Sequence, residues 1–103
     1  MIQVIVFVPS DFKEHVKLAM FNAGAGALGN YDSCCFEQEG VGQFRPLKDS
    51  RAFIGTIGQV EKVSEHRIEM CVQRELLVEV IKAMKEAHPY ETPAYYAIDL
   101  LKI

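Results

Sequence analysis

The sequence predicts an α+β domain of ferredoxin-like βαββαβ architecture, with an elaborated connection between the second and third major strands. Three observations carry this. An apolar, β-branched run opens the chain at Ile2–Val8, and two later segments repeat apolar residues at helical spacing. A stretch of strand character follows each helical segment, giving β-α-β, a long connection, then β-α-β. Two helices then cover one face of an antiparallel sheet.

Ile2–Val8 is almost wholly apolar, as expected of a central strand covered on both faces. Ser10 or Asp11 is placed to cap the first helix, and Asp11 with Glu14 has the spacing of a capping box. Phe12, Val16, Ala19, Met20 and Ala23 form its apolar stripe, opposite Lys13, Glu14 and Lys17; Gly24 and Gly26 end it. The small-residue loop from Ala23 to Asn30 leads to an expected second strand at Tyr31–Phe36, where Tyr31, Ser33 and Cys35 alternate with Asp32, Cys34 and Phe36.

From Gln38 to Ser64 periodicity fades. Gly40 and Gly42 precede Phe44-Arg45-Pro46, a polar turn follows at Lys48–Ser50, and Phe53–Val63 has room for one or two short strands. Arg67–Gln73 alternates cleanly, with Ile68, Met70 and Val72 inward. Leu77, Val80, Ile81 and Met84 stripe a second helix running from Arg74 to Ala87. It must stop at His88, because the ring of Pro89 disfavours helical geometry in the preceding residue. Tyr95–Leu101 is the last strand.

A chain of 103 residues, 50% hydrophobic, suits one domain with one core over residues 1–103. Its net charge of −3, with acids and bases interspersed, argues against nucleic acid and anionic membranes as partners. The opening segment lacks a basic leader and is too short to span a bilayer, so a cytoplasmic location is expected. Cys34, Cys35 and Cys71 form no paired framework and are expected to be reduced, the first two as small core residues. His15 and His66, among charged neighbours, are expected to be solvated. The strands at Ile2–Val8 and Tyr95–Leu101 give the sheet a second face too apolar for water, which predicts a homo-oligomer.

The run Gly24-Ala25-Gly26-Ala27-Leu28-Gly29-Asn30-Tyr31-Asp32, then Cys34-Cys35-Phe36, Gly42, Phe44-Arg45-Pro46, His88-Pro89-Tyr90-Glu91 and Pro93, resembles the insert domain of the Nif-three-like (YqfO-type) family. The histidine-proline-tyrosine-glutamate turn is also similar to that of the CutA proteins, ferredoxin-like trimers related in shape to the PII signalling proteins. The resemblance implies a CutA/PII-like fold, a trimer, and a stand-alone insert domain. It also implies that the two-metal site of full-length Nif-three-like proteins, with its proposed hydrolase or cyclohydrolase activity, lies in flanking segments not matched here.

His88, Tyr90 and Glu91 bring together an imidazole, a phenol and a carboxylate, suited to a small polar ligand or, through His88 and Glu91, a divalent metal. The same turn serves equally well as a helix stop that shapes a subunit contact. Gly26 lets a ligand or a second chain approach the backbone, with Asn30, Tyr31 and Asp32 at the rim; a tight turn explains it as well. Arg45 is suited to a carboxylate or phosphate, or to Glu91 or Asp32 of a neighbour. No nucleophile and base stand at a recognisable spacing. The expected function is a trimeric ligand-binding or regulatory module with small-molecule or metal sites at subunit clefts. The alternatives are a metal-dependent hydrolase with a site shared between subunits from Asp32, His88 and Glu91, and a purely structural oligomerisation domain supporting a protein partner.

Overall fold

The computed structural model describes residues 1–103. The strands β1 (Ile2–Pro9), β2 (Phe36–Phe44), β3 (Glu61–Val72) and β4 (Tyr95–Asp99) form one sheet in the order β2-β3-β1-β4, with every neighbour antiparallel. Helices α1 (Lys13–Asn22) and α2 (Leu77–Ala87) lie on one face. This is the ferredoxin-like sandwich.

Alternation decides which side chains meet the helices. Ile2, Val4, Val6 and Val8 of β1 stand opposite Val72, Met70, Ile68 and His66 of β3, and the apolar members of this set close over Val16 and Met20 of α1 and Val80 and Met84 of α2. Both predicted stripes therefore supply the core.

Several local expectations need correction. Helix α1 has no side-chain cap: Ser10–Phe12 forms a turn of 3₁₀ helix first. The Ser10 hydroxyl instead lies 2.8 Å from His66 Nδ1, a stronger claim on it than an exposed amide. Accordingly His66 is half-buried in a polar network and not solvated.

The second strand is Phe36–Phe44, not Tyr31–Phe36. Ser33 takes a left-handed φ of 55°, and the Cys34 amide donates to Gly26 O at 2.9 Å, so the segment folds back on the glycine loop before pairing begins. The glycines that blurred the sequence pattern, Gly40 and Gly42, lie inside β2. Strand β3 begins at Glu61 and not at Arg67, no strand forms from Phe53 to Val60, and β4 ends at Asp99.

The uncovered face of the sheet is mixed, not uniformly apolar. Ile5, Phe7, Phe36, Tyr96 and Ile98 share it with Gln3, Glu65, Arg67 and Glu69. Arg67 pairs with Glu69 at 2.8 Å, and Gln3 Nε2 donates to Glu69 at 3.1 Å. Ile5, flanked in register by Glu69 and Tyr96, is only 5% exposed, whereas Phe36 and Tyr96 remain 60% and 56% exposed. No helix is long and apolar enough to cross a membrane.

Candidate functional site

The turn after α2 is clasped to the sheet by His88. Its backbone is extended (φ −75°, ψ 134°), as Pro89 requires, and the residue is 6% exposed. Nε2 lies 2.7 Å from Phe7 O, and Nδ1 lies 3.1 Å from the Tyr90 amide nitrogen. A carbonyl only accepts and an amide N–H only donates, so the proton sits on Nε2 and the imidazole is neutral. Burial lowers its pKa below the ordinary histidine value, against the bond to Phe7, which raises it. Both ring nitrogens are thus engaged within the chain.

Next along the turn, Tyr90 sets its ring edge-on to Phe44, with centroids 5.6 Å apart, and its hydroxyl donates to Glu65 Oε2 at 3.3 Å. The Glu65 carboxylate lies against Gly42, where any Cβ would collide with it. Burial raises the Glu65 pKa, partly offset by the Tyr90 hydrogen bond. Tyr90 is pushed up to about 12 by burial, then by the Glu65 carboxylate. Glu91 is exposed; its Oε1 accepts the Arg51 amide at 2.9 Å and so ties the long connection to the turn.

These contacts bound a cavity of about 250 Å³ between the end of β2, the following connection and the turn, walled by Phe7, Phe44, Phe53 and Tyr90. Glu65, Glu91, Gln43 and Ser50 supply its polar lining. The Ser50 hydroxyl is buried and has no hydrogen-bond partner. Arg45, between the lining residues Phe44 and Pro46, is exposed and enters none of the ion pairs.

The glycine loop lies at the other end of the sheet. Gly26, at φ 78°, donates to Cys71 O at 2.8 Å, and a Cβ there would stand 2.7 Å from Cys34 O and 2.9 Å from the Phe21 ring. Chain packing alone therefore requires this glycine. Leu28 and Tyr31 exchange both backbone hydrogen bonds at 2.9 Å across Gly29-Asn30, leaving Asn30, Tyr31 and Asp32 exposed. Cys71 pairs with Gln3, whereas His88 reaches Phe7, four residues along β1, which is roughly 13 Å of strand. The structure thus brings Arg45, His88, Tyr90 and Glu91 to one end and Gly26, Asn30, Tyr31 and Asp32 to the other.

Glu65, Gln43, Ser50 and Phe53 escaped the sequence reading. Glu65 carried a faint signal, since it continues the outward alternation of Arg67 and Glu69, but only the register that sets it opposite Gly40 aims it at Tyr90. A second polar cluster lies near the α1 end of β2, where Lys13 and Lys17 hold Glu37 at 2.8 and 3.1 Å and lower its pKa. Cys35 packs half-buried beside the core, and burial raises its thiol pKa. No group of three or more His, Cys, Asp and Glu side chains converges as a metal site would require.

The sheet order, helix placement and clasped turn define a ferredoxin-like fold of the CutA/PII kind. Pyrococcus horikoshii CutA matches with a TM-score of 0.69 at 21% identity, covering 100% of this chain and 87% of that one, a likeness of fold alone. The sequence relationship lies elsewhere. A Bacillus subtilis protein named GTP cyclohydrolase 1 type 2 homolog is 43% identical over 93 residues, which is 90% of this chain and 25% of that protein. A Bacillus cereus protein related to NIF3 matches with a TM-score of 0.82 at 44% identity, covering 96% of this chain and 25% of the other. No family model matches. The chain is homologous to a segment of the NIF3-related proteins and spans about a quarter of the length of the curated relatives it matches.

Proposed function

We propose that this chain is a binding or regulatory module, assembled as a homotrimer, that takes a small ligand in the cavity between the β2–β3 connection and the His88–Glu91 turn. The observation that carries the reading is the cavity itself: four aromatic rings, two carboxylates and a buried, unpartnered Ser50 hydroxyl meet there. Small-molecule sites are typically concave and apolar with a few convergent polar groups, and this is the arrangement present. Oligomerisation is supported by the exposed Phe36, Tyr96 and Ile98 on the uncovered sheet face.

Two features favour binding over catalysis. His88 spends both ring nitrogens on the backbone, and Glu65 meets a phenol in place of a nucleophile. In this reading the activity suggested by the relatives' name belongs to parts of those proteins outside the matched segment.

Light scattering on the purified chain tests the assembly, with a mass near three chains expected and a monomer at micromolar concentration counting against it. Elemental analysis addresses a bound divalent metal. A small-molecule screen followed by melting temperature tests the cavity, because a ligand that binds only the folded chain raises it by mass action. A hit whose stabilisation survives filling the cavity with Ala52→Trp would place binding elsewhere and remove the reading.

A further inference from the structure

The walls of the cavity specify a charge as well as a size. Phe7, Phe44, Phe53 and Tyr90 surround it, and none of its lining residues is lysine, arginine or histidine. Glu65 and Glu91 are its ionisable carboxylates, and Arg51 contributes only its backbone N–H, to Glu91. Aromatic faces carry negative potential, and an ammonium seated over them is attracted more strongly when water is excluded. Among the lining residues an anion would meet two carboxylates and no counter-charge.

Resting on the assignment of the cavity as the ligand site, we propose that its ligand is an organic cation, an ammonium group carried on one ring-sized apolar body. The size follows from the volume, since roughly 150 Å³ holds one benzene ring and about 250 Å³ leaves space for a short ammonium-bearing arm. Phe44 and Tyr90, edge to face with centroids 5.6 Å apart, form one corner of the cage, and Glu65 stands 3.3 Å from the Tyr90 hydroxyl at its floor. Ser50 supplies a buried hydroxyl whose oxygen has no protein partner. Burial leaves Glu65 harder to ionise than an ordinary glutamate, and a bound ammonium favours its charged form. A nucleoside triphosphate, the substrate class suggested by the relatives' name, would set its phosphates against two carboxylates.

The test compares benzyltrimethylammonium, neutral benzyl alcohol and magnesium GTP on the wild-type chain, read by amide chemical-shift changes and calorimetry. The expected result is that the ammonium perturbs Phe44, Phe53, Tyr90 and Thr92 and binds at least roughly tenfold more tightly than the alcohol, while magnesium GTP leaves these residues unperturbed. Glu65→Gln combined with Glu91→Gln, close in shape to the native side chains, should erase that preference, and the comparison of ligands on the wild type stands even if the variant fails to fold. Equal binding of alcohol and ammonium overturns the cation assignment. Binding of GTP at these residues without the ammonium also overturns it while leaving a binding module. If none of the three perturbs the cavity, the cation assignment falls, and failure of the wider screen as well would remove the binding reading.

Discussion

At the scale of single residues, His88 does more to hold the site than to react in it. Replacing it by Ala leaves the Phe7 carbonyl without its partner and should cost about 1–3 kcal/mol in denaturant unfolding. Its pKa is lowered in the fold from 6.5, so the unfolded chain binds a proton that the folded chain resists. The stabilisation is therefore complete above that value and lost as pH falls below it. Glu65 runs the other way: its pKa is raised from 4.5, so its contribution is full below that value and fades as pH rises through the folded one. Melting curves between pH 7 and pH 5 should show the acid loss flattened in His88→Gln and steepened in Glu65→Gln. A Gly42→Ala substitution forces the Glu65 carboxylate to move; it should break the Tyr90–Glu65 bond with little loss of fold, visible as a fall in the tyrosine pKa from about 12 on spectroscopic titration.

At the scale of elements, the β2–β3 connection and the turn after α2 are two loops that make a cavity only by leaning on each other. The Arg51–Glu91 hydrogen bond and the Phe12–Phe53 edge contact, with centroids 5.4 Å apart, are the tethers visible between the connection and the body. Glu91→Ala should accelerate hydrogen exchange across residues 48–58 while leaving the amides of β1 protected, because the core does not depend on the connection. Met84→Ala is the opposite case: the side chain is fully buried between α2 and the sheet, so truncation should cost 2–5 kcal/mol, roughly, throughout the molecule.

At the scale of the whole molecule, one face of the sheet carries both helices and the other carries none. Tyr96→Glu with Ile98→Asp places two charges on the uncovered face, where both wild-type residues are exposed in the single chain. The folded chain should tolerate this, and light scattering should show the proposed assembly dissociate; an unchanged oligomeric mass would place the subunit contact elsewhere.

Local sequence by itself determined β1, both helical stripes, the inward set of β3 and the stop at His88, because burial on one face and proline geometry are local properties of the chain. It misplaced β2, since Gly40 and Gly42 carry no alternation signal and the Gly26–Cys34 backbone bond that holds Tyr31–Cys35 out of the sheet joins residues across a loop. Within one chain the eight candidate site residues occupy two ends of the sheet, as only the register of β1 against β3 decides. Tertiary structure alone brought Glu65 to Tyr90, because residues 25 apart in the chain meet there through strand pairing and loop packing, and no sequence window holds both.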